Sequence, residues 1–161
     1  MNRIIATLPD PLTELCLIRI GFQCRGLGAR LYGLRLGRAI ARASSGAIAA
    51  GAGLLGSERF AIDWGHFGVL QYWRSFDELE AWSRRPPHSE WWRGAVERMR
   101  TKGDFGIYHE TFLVPRDRIE AIALDCAPAG LATFGTIGAP VGPQTTSRGR
   151  LASGPLREPT A

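Results

Sequence analysis

The chain has 161 residues, 45% of them hydrophobic, and a formal net charge of +5. This length supports one hydrophobic core and one domain, and no stretch reaches the ~18 consecutive apolar residues that cross a bilayer. The first residues carry one arginine and two prolines, which interrupt any apolar signal sequence, so we expect a cytoplasmic protein. The three cysteines are spaced neither as a zinc site nor as a redox pair, and we expect buried thiols.

The positive charge is scattered along the sequence. Arginines occur in an early segment, at a central loop and near the end, and the chain has a single lysine, Lys102. A platform for single-stranded nucleic acid needs basic residues that alternate with stacking aromatics, and the sequence has no such run. We therefore expect a solvated basic surface and no nucleic-acid partner.

The first predicted elements are a strand and a helix that follow a loose lead-in. Residues 14–23 alternate between two faces, with Cys16, Ile18, Ile20 and Phe22 on one and Leu17, Arg19, Gly21 and Gln23 on the other. Residues 27–50 predict a helix, because an apolar stripe recurs every three or four residues at Tyr32, Leu36, Ile40, Ala43 and Ala47. We expect this helix to lie on a sheet. A membrane-surface helix is the alternative, which the alanine-rich stripe disfavours.

The middle of the chain predicts a strand and two helices. Glycines end the first helix and open a flexible link through residues 57–59. Residues 60–73 then form either one long strand or a bent pair of strands, with 67–73 as the central part. Ser75 with Glu78 three residues later is a capping-box pattern, so a helix begins there, and Pro86 and Pro87 end it. Residues 88–101 predict the next helix, with His88 at its first turn.

The stretch from Asp104 to Pro115 predicts a long central strand that carries two polar residues. His109 shares a face with Ile107 and Thr111, whereas Glu110 points to the opposite face. Each must find a hydrogen bond or line a wet cavity, since an unpaired buried polar group costs a few kcal/mol. A turn at 116–118, a short strand at 119–126 and a tail follow, and we expect residues from about 142 to 161 to be disordered.

This order of elements approximates a ferredoxin-like α+β fold, an antiparallel sheet with helices on one face. We predict a lead-in at 1–12, one domain at 13–131, and a tail rich in Gly, Pro and Ser at 132–161. The second sheet face is left bare in this arrangement. Such a face is normally buried against a second copy, so we expect a homodimer.

Three blocks of sequence carry a family resemblance, namely Gln71–Trp82, His88 with Trp91 and Trp92, and Gly106–Pro115. Together they resemble a bacterial and fungal family related to a monooxygenase-like protein of the fumagillin pathway. The resemblance covers roughly residues 14–131. The chain departs from the family in its first helix, which is unusually rich in Gly, Ala and Arg, and in the tail after Gly142.

The family is similar in turn to dimeric α+β-barrel proteins, which include cofactor-independent monooxygenases and haem-containing aldoxime dehydratases. The resemblance thus implies a dimeric α+β barrel, a fold that hosts several unrelated chemistries. Our first hypothesis is a cofactor-independent monooxygenase whose substrate, an apolar or aromatic molecule like a secondary metabolite, itself reduces oxygen. Its candidate catalytic residues are His109 and Glu110, and its candidate substrate-binding residues are Gln71, Tyr72, Trp73, His88 and Trp92.

Two alternatives stay open. In a haem-containing, dehydratase-like enzyme, one of His66, His88 and His109 would be the axial ligand. In a binding dimer without activity, His109 and Glu110 would be satisfied core groups. We expect no divalent-metal site, because no His or carboxylate pair has the helical i, i+4 ligand spacing.

Overall fold

The computed structural model describes residues 2–152. In chain order its strands and helices are β1 (Arg3–Thr7), β2 (Glu14–Cys24), α1 (Leu27–Ala49), β3 (Leu54–Ala61), β4 (His66–Trp73), α2 (Phe76–Ser83), α3 (His88–Lys102), β5 (Phe105–Pro115), β6 (Ile122–Leu124), β7 (Thr136–Gly138) and α4 (Ser147–Ala152). Within this range no helix has both the length and the apolar content to cross a membrane.

The described chain divides into two compact units. One is Cys16–Phe112, and the other consists of residues 2–15 and 113–152. The first holds the four-stranded sheet with the order β3-β4-β2-β5 and the helices α1 to α3, and the second holds the sheet β6-β1-β7 and α4. This division differs from the single domain expected at 13–131, whose boundaries stay a prediction.

The four-stranded sheet confirms the predicted α+β, ferredoxin-like class. β4 pairs antiparallel with both β2 and β3, so that Ile18 lies opposite Gln71. β5 flanks β2 on its other side. There the ring of Tyr108 covers Gly21 so closely that an added Cβ would lie 2.2 Å from it, and Arg19 reaches Glu110. These contacts run in opposite directions along the two strands, which is the antiparallel arrangement.

The helices pack on one face of this sheet. α1 buries one side, formed by Ala29, Gly33, Leu36, Ile40, Ser44 and Ala47. Two apolar clusters result, one around Trp73 and one around Phe22, which are 0% and 1% exposed. Burying a large apolar side chain contributes about 1.5–3 kcal/mol, so these clusters fix the helices against the strands.

The segment predicted as a flexible link is a strand. Residues 57–59 lie within β3, where Ser57 is opposite Gln71 and Arg59 is opposite Val69. Polar residues are tolerated on an edge strand because its backbone still pairs with its neighbour. The predicted helix start is confirmed, since the Ser75 hydroxyl accepts a hydrogen bond from the Glu78 amide at 3.2 Å.

The second unit differs from the expected lead-in and tail. Residues 3–7 form β1, which pairs with β6 and β7 and buries Ile5 to 2% exposure. The predicted strand at 119–126 is reduced to β6. Residues 142–152 are ordered as a short 3-10 helix and α4, where Arg150 forms an ion pair with Glu120. The expected disorder is therefore wrong for 142–152, and residues 153–161 lie outside the described range.

Candidate functional site

A cavity of about 570 Å³ lies within Cys16–Phe112, between the helix-covered face of the sheet and the helices. This volume is within the range of small-molecule sites. Three strands and three helices contribute to its walls, which include Ile18, Ile20 and Phe22 of β2, Gln71 of β4, Ile107, His109 and Thr111 of β5, Leu36 and Ile40 of α1, Trp82 and Ser83 of α2, and His88, Trp91, Trp92 and Arg93 of α3. Apolar side chains dominate the lining, which suits an apolar or aromatic ligand.

His88 is the first residue of α3, and its ring is fixed by one hydrogen bond. Its Nδ1 lies 2.8 Å from the carbonyl oxygen of Ser83. A carbonyl only accepts hydrogen bonds, so Nδ1 must carry the proton and donate it. In the neutral imidazole the other nitrogen, Nε2, is then an unprotonated acceptor.

Two indole rings enclose the His88 imidazole. The ring centroids of Trp82 and Trp91 lie 5.2 Å and 6.4 Å from that of His88. Burial lowers the pKa of His88, the hydrogen bond to Ser83 acts against this shift, and the charge of His109 adds to the lowering. His88 is therefore neutral near pH 7, the state in which Nε2 is able to accept a proton.

His109 reaches the same cavity from the middle of β5. Its exposed ring lies 6.3 Å from the Trp92 ring, centroid to centroid, and Thr111 lines the cavity two residues further along the strand. The sequence predicted that His109 and Thr111 share a face, and the structure shows that this is the helix-covered face of the sheet. Polar groups from β5 and from α3 meet at one cavity.

Gln71 lines the cavity with an amide that is held at both ends. Its Nε2 donates to the Ser44 hydroxyl at 3.0 Å, and its Oε1 accepts from the Trp73 indole at 3.3 Å. The side chain is 0% exposed. Gln71 therefore lines the cavity with an amide whose two ends are already hydrogen-bonded within the protein.

Three predicted site residues are not part of the cavity wall. Trp73 is 0% exposed and packs against Trp82, with the two rings tilted and their centroids 5.5 Å apart. Glu110 lies on the opposite sheet face, 3.3 Å from Arg19. The structure brings together His109, His88, Gln71 and Trp92 in the cavity wall. Trp73 bonds to Gln71 without lining the cavity, and Glu110 and Tyr72 lie on the other sheet face.

Tyr72 points to the same face as Glu110. Its hydroxyl donates to the Glu58 carboxylate at 3.3 Å. Burial, followed by the charge and hydrogen bond of Glu58, raises the pKa of Tyr72 to about 12. This phenol stays protonated at neutral pH and does not act as a base.

Sequence reasoning did not include Trp82, Ser83 and Arg93 in the site. The sequence did contain a signal for Trp82, since three tryptophans lie close to His88 in the chain. An aromatic residue near the end of one helix commonly packs on the next helix. The role of Ser83 depends on its main-chain carbonyl, and no side-chain pattern predicts it.

Comparisons with known proteins agree with the fold. An aldoxime dehydratase crystal structure is 19% identical, with a TM-score of 0.61 over 86% of this chain and 39% of that one. The aldoxime dehydratase OxdRE, in complex with butyraldoxime, is 17% identical, with a TM-score of 0.63 over 83% of this chain and 40% of that one. The chain spans about two fifths of the length of these enzymes, and at this identity the likeness shows a shared fold alone.

One further solved structure is too dissimilar to use, whereas a match of the sequence shows the family. SnoaB, a cofactor-independent oxygenase from Streptomyces nogalater, is 11% identical with a TM-score of 0.40 over 62% of this chain and 91% of that one, too low to bear on fold or function. The sequence has no significant match among curated proteins. Residues 19–131, well over half of the chain, match the family described as monooxygenase af470-like. The chain belongs to the monooxygenase af470-like family.

Proposed function

We propose that this protein is a cofactor-independent monooxygenase that oxidises an apolar, aromatic small molecule in the cavity between sheet and helices. The observation that carries the proposal is the His88 imidazole, which lines the apolar cavity and whose Nε2 is unprotonated because the Nδ1 proton is held by the Ser83 carbonyl. Membership of a monooxygenase-like family supports the reaction class. The base is assigned to His88, where the sequence alone favoured His109.

The chemistry begins with proton transfer to His88 Nε2 from an acidic C–H or phenol group of the substrate. The resulting anion is electron-rich enough to reduce O₂ directly. For an activated methylene the balance is R₂CH₂ + O₂ → R₂C=O + H₂O. One oxygen atom enters the product, the other leaves as water with both methylene hydrogens, and the substrate supplies all four electrons.

The remaining walls support this reaction. His109 and Thr111 carry hydrogen-bond donors on the β5 side, where they stabilise negative charge that develops on a substrate oxygen. Ile107, Phe22 and the indole of Trp91 make this lining apolar, and a substrate that fills the cavity would displace water and strengthen these interactions. Glu110 has no direct part here, because it lies on the opposite sheet face with Arg19.

A haem-containing enzyme is the second candidate, because the donor set of the cavity fits haem. His88 would hold the haem iron through Nε2, because its Nδ1–H is bonded to a carbonyl and a metal-binding histidine usually donates its other N–H in this way. Arg93 is a guanidinium in the wall for a propionate. Bound haem would supply redox or Lewis-acid chemistry at its iron. A binding dimer without activity would use the same cavity without proton transfer.

Anthrone, whose methylene is activated by two aryl rings and a ketone, is a suitable test substrate. The absorption spectrum of the purified protein is recorded first, because a Soret band identifies haem. Haem-free protein is then mixed with anthrone and isotopically labelled O₂, and the ketone is analysed by mass spectrometry. We expect one labelled oxygen in the product above the uncatalysed background. Haem-free protein that adds nothing to the background for anthrone and for related activated methylenes and phenols would contradict the proposal.

A further inference from the structure

A second cavity, of about 320 Å³, lies within the same unit between α1 and the strands β3 and β4. We propose that it binds a small amphipathic anion, in which a phosphate, sulfate or carboxylate group is joined to an apolar body. The two cavities have only Phe22 in common among the residues that line them, so His88 and His109 are not part of this site. Its occupation does not depend on the chemistry proposed for the larger cavity.

Three guanidinium groups line this cavity. Arg30 and Arg38 belong to α1, together with Leu34 and Gly37, and spacings of four, three and one place these residues on one side of the helix. Arg59 comes from the edge strand β3. A helix and an edge strand thus direct positive charge to the same space.

The fold supplies little negative charge for these arginines. None of the ion pairs among residues 2–152 involves Arg30, Arg38 or Arg59. Asp63 is the one carboxylate in the lining, and its Oδ1 accepts a hydrogen bond from the Gly65 amide at 2.7 Å. Three arginines against one aspartate leave an excess of positive charge, which an anionic ligand group would neutralise through charge-assisted hydrogen bonds.

The rest of the lining is apolar and partly rigid. Phe22 and Val69, each 1% exposed, line the cavity together with Phe67 and Leu34. The Arg30 guanidinium lies 3.5 Å from the centroid of the Trp64 ring and donates a hydrogen bond to the Trp64 carbonyl. A cation fixed in this way loses little conformational freedom on binding an anion. The volume is at the lower end for ligand sites, so the apolar body is about the size of one aromatic ring.

Amide shifts of the isotope-labelled full-length protein test this site. The chain is titrated with phenyl phosphate, inorganic phosphate and phenol, and the shifts of Gly37 and Gly68, which line the cavity, are followed. We expect saturable shifts with phenyl phosphate, at an affinity at least about tenfold higher than with either fragment. Equal affinity for phosphate and phenyl phosphate, or shifts confined to Thr111 in the larger cavity, would overturn the proposal.

Matched double variants separate the cavity from the general positive charge. R38Q/R59Q removes two exposed arginines that line the cavity, whereas R35Q/R42Q removes two exposed arginines of α1 that line neither cavity. Both double variants lower the net charge equally. We expect phenyl phosphate to bind at least about tenfold more weakly to R38Q/R59Q and with unchanged affinity to R35Q/R42Q. Equal weakening in both would mean non-specific attraction and would overturn the site.

Anionic vesicles distinguish a lipid headgroup from a soluble ligand. Ile62 and Trp64 are 56% and 68% exposed beside this cavity, so a lipid surface is the competing source of the same anion. The recessed apolar lining favours a soluble molecule. Sedimentation of the protein with phosphatidylglycerol vesicles, together with no amide shifts from phenyl phosphate, would overturn the proposal. Saturable phenyl phosphate shifts without co-sedimentation would support it.

Discussion

The properties of His88 depend on the Ser83 carbonyl and on the indoles of Trp82 and Trp91. The carbonyl selects the tautomer with the proton on Nδ1, and burial disfavours the imidazolium. Neither effect requires an acidic residue. His88 is therefore a neutral base, which suits proton abstraction from a weakly acidic apolar substrate at neutral pH.

The first prediction concerns the pH dependence of stability. Because folding lowers the pKa of His88, the unfolded chain binds more protons just below about pH 6.5, where a free imidazole titrates. The stability linked to this group is complete above that pH and is lost as the pH falls towards the folded pKa. The Tm of the parent protein relative to His88→Gln should therefore fall between about pH 7.5 and pH 5. A relative Tm that rises on acidification would contradict the lowered pKa.

The second prediction concerns Gln71, whose amide connects Ser44 and Trp73. Gln71→Leu leaves both partners without this hydrogen bond in the interior, and each unpaired group costs about 1–3 kcal/mol. We expect a loss of about 2–4 kcal/mol in the free energy of unfolding, measured in urea. Gln23→Leu is the control, because Gln23 is exposed on β2 and should change stability little. Equal losses in the two variants would show that the buried amide network is unimportant.

Alternation along the strands determined most of what could be predicted at the scale of single elements. It predicted that His109 and Glu110 lie on opposite faces but left open which of them lines the cavity. In the structure His109 lines the cavity, and Glu110 lies on the other face with Arg19. The same rule excludes a cavity wall made of Gln71, Tyr72 and Trp73 together, because neighbouring strand residues face opposite sides. Trp73 shares the face of Gln71, but it packs against Trp82, and that contact depends on how α2 packs.

Sequence reasoning missed β1 and β3 for two different reasons. β1 is short, and it pairs with β6 and β7 from the far end of the sequence. β3 is an edge strand with polar residues, so its composition resembles that of a loop. The non-local pairing of β1 gives no local sequence pattern. The Ser75 cap of α2 and the helix α1, with Leu36, Ile40 and Ala47 on its buried side, depend on local patterns and were predicted correctly.

The third prediction concerns the start of α2, the helix that carries Trp82. The Ser75 hydroxyl satisfies the Glu78 amide, and loss of such a cap costs about 0.5–2 kcal/mol. We expect Ser75→Ala to lower the free energy of unfolding by this amount in urea denaturation. Ser45→Ala is the control, because the Ser45 hydroxyl only bonds back to the Ala41 carbonyl within α1. A Ser75→Ala protein as stable as the Ser45→Ala protein would show that the Ser75 cap does not stabilise the fold.

At the scale of the whole molecule, the second face of the four-stranded sheet decides the assembly. Arg19 lies 4.8 Å from the centroid of the Phe60 ring, and Tyr108 bonds to His66 at 2.9 Å. Phe112, on the same face, is 48% exposed. An exposed sheet face with aromatic residues is typical of a surface between subunits, and we propose that a second copy of the chain covers it.

The fourth prediction follows from this face. Light scattering at micromolar concentration should give twice the chain mass of 17.6 kDa. Phe112→Glu should shift the protein towards monomer, because it introduces a charge on the face that a second copy is proposed to cover. Leu27→Glu is the control, since Leu27 is 65% exposed at the start of α1. A monomer mass for the unmodified protein would exclude the proposed dimer.

The measurement that tests the central claim most directly is the rate of oxygen uptake with anthrone in haem-free His88→Gln protein. If His88 Nε2 is the base, this rate should be about 10²–10⁴-fold below that of the unmodified protein. His66→Gln is the matched control, because His66 bonds to Tyr108 on the other sheet face and lines neither cavity, and its rate should be unchanged. A His88→Gln protein that folds normally and consumes oxygen as fast as the His66→Gln protein would contradict the account.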